Sequence, residues 1–316
     1  MAGLRGGSRN GVGVGAVMRR ESGVALVLVL WVITLLAVIA GNFAFSMRGE
    51  AQIARNLVST AQAQALADAG AQRAWFELLK SPTDLQRWQA NGLVYESVLD
   101  GAVLRVTIQY ETGKIDLNTA SDALLQGLFK SVGLTEDESV ALLDSVLDWR
   151  DADKLRRIHG AEEDDYRTAG KNYIPTNAPF ETVDELQRVL GMTPELYRKL
   201  APALTVYSRQ PGVSTAVAPR GVLLAIPGIN PDLVEQYLVQ RQSLLATDQR
   251  VPELAGAGAF SSPLMGIPTY SVRSEAKMAD GTVFVRQVVA RVAHDPGKPV
   301  TVLAWGAAEA EQFTEK

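Results

Sequence analysis

Residues 24–41 read VALVLVLWVITLLAVIAG, and the organisation of the whole chain follows from this stretch. No charge interrupts it, and Thr34 is its only polar side chain. About 20 apolar residues cover the hydrocarbon thickness of a bilayer as a helix, the form that satisfies every backbone amide within one segment. Arg5, Arg9, Arg19 and Arg20 precede the run, and positive flanks stay cytoplasmic, so everything after Gly41 is expected to be exported. An ordinary secretory signal has a shorter apolar core and a small-x-small cleavage site at its far end. Ala37, Ala40 and Gly41 imitate such a site poorly, whereas Gly23 stands at the near end, between charge and hydrophobe. Residues 1–17 are Gly-rich and without apolar period; a start at Met18 would leave the short basic leader MRRESG.

Composition narrows the function. The 316 residues suffice for two folded units, and a net charge of -4 gives no global basic field for nucleic acid. There is no cysteine, which excludes disulfides and thiolate metal sites, and His159 and His294 are the only histidines. The chain has no G-x-S-x-G elbow, H-E-x-x-H pair, phosphate-binding Walker loop or dinucleotide glycine fingerprint. We therefore expect a protein that is not an enzyme.

Beyond the apolar run, residues 45–80 carry frequent Ala and no Pro, with Ile53, Leu57, Ala61, Ala65 and Ala69 recurring every fourth residue. The pattern predicts that the helix continues through 24–80, spanning the membrane over 24–44. Trp75, Phe76, Leu78 and Leu79 are expected to pack its second half on a sheet. Gly49 and Gly70 each cost about 1 kcal/mol of helix propensity relative to Ala, so they mark bends or close packing. Ser81-Pro82-Thr83-Asp84 reads as a stop and a fresh helix start with Pro82 at N1.

Two β-rich runs, 93–99 and 102–110, flank Asp100-Gly101, a strong hairpin signal. Further strands are expected over 270–276, 282–293 and 300–305. Between these parts, 114–208 turns to short helices: 123–132, a capping box from Thr135 to Glu138, 181–190, and a helix opened by Thr193 and Pro194. The helix–Gly–apolar–cap–helix unit occurs twice here and returns around Pro227-Gly228-Ile229-Asn230. Such units resemble helix-hairpin-helix modules, some of which bind DNA. Residues 114–208 contain 11 Lys and Arg against 17 Asp and Glu, which makes an acidic module a poor phosphate binder.

The densest polar cluster is Asp148-Trp149-Arg150-Asp151-Ala152-Asp153, followed by Gly160–Tyr166, Tyr173 and Asn177. Carboxylates with an amide oxygen suit a hard cation such as calcium, but the spacing is not that of an EF-hand. On the residues alone, a solvated acidic loop and a metal site both stand. The four carboxylates of 162–165 would repel unless a cation or basic partner neutralises some of them.

A short basic leader ending in Gly, ahead of an apolar helix that runs into a long amphipathic one, resembles a type IV prepilin signal. The resemblance implies cleavage between Gly23 and Val24 by a prepilin peptidase, and methylation of Val24. Most pilins carry Glu at the fifth mature position, where this chain has Leu28. A carboxylate in a membrane helix costs on the order of 2.5–3.5 kcal/mol, and a subunit with no predecessor lacks the amino terminus that neutralises it. Leu28 therefore points to the first subunit, at a filament tip. Absence of that Glu is a feature of the K-type minor pseudopilin of type II secretion. The stretch 148–177 and LQRVLGMTPELYRKLAPALTVYS (186–208) resemble the insert of that family.

What this resemblance implies is an α+β fold: a pilin-like long N-terminal helix packed on an antiparallel sheet, interrupted by a large all-α inserted domain. The expected divisions are a leader (1–23), the long helix (24–80), a pseudopilin α/β domain (81–113 and 209–316) and the insert (114–208). The implied function is structural: initiation of the pseudopilus with other minor pseudopilins of the I, J and H types, in support of export across the outer membrane. The implied location is the bacterial inner membrane, single-pass, with the head periplasmic and facing secreted substrates or the outer-membrane secretin. The family's insert holds calcium, which favours Asp151, Asp153, Glu163, Asp165 and Asn177 as oxygen donors for a structural ion. The alternative is a membrane-anchored helix-hairpin-helix DNA-binding protein of a competence or type IV pilus system.

Overall fold

The computed structural model describes residues 22–81, 83–84, 86–246, 249–263, 268–293, 295 and 297–308. The leader through residue 21, Pro82 and His294 lie outside them. Two compact units are present, one ending at Val58 and the other spanning Ser59–Lys316.

Helix α1 runs from Ser22 to Leu79. In the first unit its side chains from Val24 to Val58 are all exposed, including the whole apolar run. It is long and apolar enough to cross a membrane, while no other helix among the described residues is. Thr34, its one polar group in the run, donates to the Leu30 carbonyl at 2.8 Å and so needs no outside partner.

In the second unit the same helix becomes one-sided. Ser59, Ala63, Leu66, Ala67, Gly70, Ala71, Ala74 and Leu78 are buried. The expected row of Ala61, Ala65 and Ala69 is exposed, and so is Phe76. The reason is the alanine content: with small apolar residues on several faces, period alone does not choose one, and the sheet's shape does. A Cβ on Gly70 would lie 2.2 Å from Ser274 Oγ and 3.1 Å from Val106 Cγ2, so the helix meets the sheet where it has no side chain. Two contacts fix the register further. Ser59 Oγ donates to Asp280 Oδ2 at 2.5 Å and lies 2.9 Å from Thr282 Oγ1, whose hydroxyl it can accept. Asp68 pairs with Arg286, whose guanidinium also faces the rings of Phe284 and Trp305 at 5.0 and 5.2 Å.

The sheet begins with β1 (Asn91–Leu99) and β2 (Ala102–Tyr110), joined by Asp100 and Gly101 at φ +48° and +77°, the two left-handed positions of a tight hairpin. The expected helix after Ser81 is replaced by a turn, in which Asp84 accepts from the Gln86 amide. A two-residue strand β3 (Ile115–Asp116) leads into α2 (Asp122–Ser131), α3 (Glu136–Arg150), α4 (Glu163–Thr168) and α5 (Pro194–Leu200). The return is β4 (Leu204–Thr205), then α6 (Arg220–Leu224) and α7 (Pro231–Ala246). The sheet is completed by β5 (Thr269–Lys277), β6 (Val283–Val292) and β7 (Val300–Ala308), in the antiparallel order β1-β2-β5-β6-β7.

The capping signals hold where they are local. Thr135 and Glu138 form the expected box, and Thr193 accepts from Leu196 N with Pro194 at N1. The helix expected over 181–190 is instead a 3-10 turn, Val183–Arg188. Glu185 Oε1 accepts from both Glu181 N and Thr182 N, and Leu186 is its one buried anchor, too little to extend an α-helical nucleus.

Strands β3 and β4 pair in parallel, so the segment between them leaves and returns at one place. Buried Asp116 holds this neck, accepting from the amides of Asn118, Thr119 and Arg209 and from Ser208 Oγ. Arg209 is kept at φ +52° by that bond. The helical core extends past the neck: Val213, Val222, Leu223, Val234, Tyr237 and Leu254 share one cluster with α2 and α3. The sequence division gave these residues to the sheet domain; their packing assigns them to the helical layer.

Candidate functional site

The described residues offer two features with functional chemistry: the exposed apolar half of α1 and the polar loop system after α3. The loop system is organised from below by Trp149, which is 1% exposed and lies within 6.5 Å of the rings of Tyr166, Tyr173 and Phe180. Because Trp149 points into this aromatic floor, Asp148, Asp151 and Asp153 are distributed around it at the end of α3.

Asp148 is fully buried and accepts from Arg157 twice, from Nη1 at 2.7 Å and from the backbone amide at 3.2 Å. Gly160 permits this closure, since a Cβ there would stand 2.0 Å from Asp148 Oδ2. Asp151 Oδ2 accepts from the same Arg157 Nη1 at 2.5 Å. Asp153 Oδ1 accepts from Leu155 N, and its carbonyl accepts from Asn177 Nδ2, each at 2.8 Å. Asn177 sits at φ +47°, a conformation Asn tolerates better than most residues.

Three oxygens in this cluster are buried without a hydrogen-bond partner: Asp151 Oδ1, Asn177 Oδ1 and Glu162 Oε1. Glu162 is 8% exposed. Burial pushes its carboxyl above the ordinary range, and the charges of Asp148, Asp151 and Asp153 push it further. Burial likewise raises Asp148, against the opposing pull of Arg157. Orphaned buried oxygens cost about 1–3 kcal/mol each, and hard cations take oxygen ligands of this kind. Among the described residues, however, no group of three or more His, Asp or Glu side chains is placed so that it could hold a metal ion.

The five donors named from the sequence separate here. Asp151, Asp153 and Asn177 belong to the cup. Glu163 pairs with Arg167, one turn on. Asp165 accepts from the Glu162 amide, which is the main reason its carboxyl lies below the usual range, and it pairs with Arg156 at 2.9 Å. Basic side chains thus neutralise Glu163, Asp164 and Asp165, leaving Glu162 as the unpaired member of the run. Neither Glu162 nor Asp148 stands among the donors expected from the sequence. The only signal for Glu162 was its position beside the three that found partners, and nothing local marks Asp148 as facing the loop.

A long apolar helix, one face of which packs on a five-stranded antiparallel sheet, with a helical layer entered between the second and third sheet strands, defines a pilin-like subunit with a large insertion. Comparison with known proteins specifies it. The family model for type II secretion system (T2SS), protein K, matches residues 104–209. The type II secretion system protein K of Pseudomonas aeruginosa is 26% identical over 290 residues, covering 83% of this chain and 87% of that one. The Klebsiella pneumoniae protein of the same name is 28% identical over 232 residues, covering 65% and 70%. In fold, the chain matches the crystal structure of the GspK-GspI-GspJ complex from enterotoxigenic Escherichia coli with a TM-score of 0.56 at 16% identity, over 84% of this chain and 99% of the matched one. The chain is thus similar to the type II secretion system protein K family, in sequence over most of its length and in fold.

Proposed function

We propose that this protein is the tip subunit of the type II secretion pseudopilus and acts by assembly. The observation that carries the reading is α1: from Val24 to Val58 it buries no side chain, so its apolar surface is available first to lipid and then to the helices of neighbouring subunits. Prepilin peptidase would cut between Gly23 and Val24, and Val24 would be methylated. Leu28 would replace the carboxylate that later subunits need, because a first subunit has no predecessor to neutralise one. The matched solved chain is part of a complex with GspI and GspJ, which supports minor pseudopilins of the I and J types as partners, joined by the H type. The head would stand in the periplasm, toward secreted substrates or the secretin.

The acidic cup would hold a structural calcium ion through Asp151, Asp153, Asn177 and Glu162. Its role is to fix the loop after α3 by satisfying buried oxygens that the protein leaves unpaired.

Intact-mass measurement of the membrane form tests the principal reading. A mass starting at Val24 plus one methyl group is expected. An unprocessed amino terminus, or one trimmed near Ala40, would refute it.

A further inference from the structure

We propose that the cleft beside the neck, between the insert and the sheet, binds an extended segment of a partner protein through an acidic side chain that Arg209 and Arg291 neutralise. The site lies apart from the exposed half of α1 and from the carboxylates after α3, and the proposal rests on neither.

The cleft has a volume of about 600 Å³ and is walled by the residues after β3, the loop after β4 and the ends of β6 and β7. Its lining is fixed before any ligand arrives. Asn118 Nδ2 donates to the Phe180 carbonyl at 2.9 Å, and its Oδ1 accepts from the Phe180 amide at 2.8 Å. Thr119 Oγ1 donates to the Gln210 carbonyl at 2.8 Å and ties down the loop that carries Arg209. On the sheet side the register shifts, so that Val289 faces Ala304 while Ala290 faces Val302. Leu303 is left as an extra residue without a partner, and this bulged residue lines the cleft.

The two arginines single the cleft out. Lys114, Arg150, Arg156 and Arg157 all pair with carboxylates, whereas neither Arg209 nor Arg291 forms an ion pair with a described residue. Asp116, in the same wall, does not serve them. It is 1% exposed and already accepts from three backbone amides and the Ser208 hydroxyl. One of those amides is that of Arg209, whose φ of +52° is a conformation glycine adopts freely and residues with a Cβ do not. A glycine would make the same bond to Asp116. What it would lack is the guanidinium, so a strained position carries a charge that no group of the fold uses.

The ligand class follows from the lining. Unpaired guanidiniums recognise carboxylates and phosphates. Phe180, Val206 and Leu303 add an apolar wall that a free phosphate would leave bare. Exposed Glu181 lines the same cleft and repels a dense polyanion such as nucleic acid. An isolated acidic residue flanked by apolar ones fits both parts of the lining. Leu303 belongs to β7, the edge strand of the sheet, so an extended segment seated there also meets unpaired backbone groups.

The test is calorimetric titration of the full chain in nonionic detergent at low ionic strength, for wild type, Arg209→Gly and Arg291→Gln. The probes are a blocked hexapeptide of alternating Glu and Leu, its counterpart with Gln for Glu, and citrate. Wild type is expected to bind the Glu peptide at least about tenfold more tightly than the Gln peptide or citrate, and each variant should lose at least about tenfold in affinity for it. Arg209→Gly should do so without a lower thermal midpoint, because the relieved left-handed backbone offsets glycine's greater freedom in the unfolded chain. Lost binding in a variant that folds as well as wild type separates recognition from a part in folding. Equal binding of the two peptides, unaltered binding by either variant, or no binding by wild type at millimolar peptide would overturn the proposal. Citrate binding as tightly as the Glu peptide would overturn the assignment to a peptide segment.

Discussion

Gly70 of α1 packs directly against Ser274 of β5, and replacing it separates two opposed effects. Gly70→Ala in a helix interior gains about 1 kcal/mol of propensity. The added Cβ, however, would stand 2.2 Å from Ser274 Oγ and 3.1 Å from Val106 Cγ2, in a place where both partners are fully buried. Overpacking of this kind costs about 1–3 kcal/mol, so the propensity gain is cancelled and a net loss of up to about 2 kcal/mol is expected. The Ser274 hydroxyl has no hydrogen-bond partner, so Ser274→Ala alone should be neutral or stabilising by up to about 1 kcal/mol. In the double variant the nearest clash is gone, leaving Val106 Cγ2 at 3.1 Å and the residue 274 Cβ at 3.3 Å, and the propensity gain should reappear. The two substitutions should therefore couple favourably by at least about 1 kcal/mol, above the 0.3–0.5 kcal/mol (roughly) within which independent sites add. Urea unfolding of the full chain in detergent, followed by tryptophan fluorescence, gives the four corners of the cycle. A Gly70→Ala protein more stable than wild type by the full propensity gain of about 1 kcal/mol, or additive effects in the double variant, would refute the claim that this contact chooses the helix face.

Two further predictions concern titration. The Glu162 carboxyl is raised in the folded state, chiefly by burial, so without calcium the head should gain stability as pH falls from neutral through that raised value toward the ordinary 4.5. Glu162→Gln should flatten this slope and remove the calcium-induced rise in thermal midpoint; a variant whose midpoint still rises with calcium would take Glu162 out of the site. Asp280 is shifted the opposite way, below its ordinary value, with the Ser59 hydroxyl bond as the main cause. Its contribution is present above the unfolded carboxylate value and is lost as pH falls through the lowered one. Ser59→Ala should therefore bring acid unfolding to higher pH, measured as the midpoint of an acid titration, and an unmoved midpoint would show that the contact carries no weight.

The local signals in the chain were sufficient wherever a few adjacent residues complete a structure. The Thr135–Glu138 box, the Thr193-Pro194 helix start and the Asp100-Gly101 hairpin form as their sequences imply, because each satisfies its own backbone groups. The apolar run of 24–41 is equally self-sufficient: length, absence of charge and internal hydrogen bonding define it without reference to any other part of the fold. Gly23, Val24 and Leu28 are meaningful for the same reason, since their proposed roles depend on order along the chain.

What required the tertiary structure was every choice between equivalent surfaces. Alanines on several faces of α1 left its buried side open until Gly70 met Ser274. Residues 181–190 have a helical composition, yet two carboxylate-bonded amides and a single buried leucine hold only a 3-10 turn. In the acidic cup, sequence identified a cluster of carboxylates but not which of them would meet a cation of the chain itself. Arg156 and Arg167 reach Asp165 and Glu163, and Arg157 reaches Asp148 and Asp151, so the oxygens left over, Glu162 among them, are fixed by pairing across a folded loop. The strength of a charge interaction depends on distance in space and on burial, and spacing along the chain specifies neither.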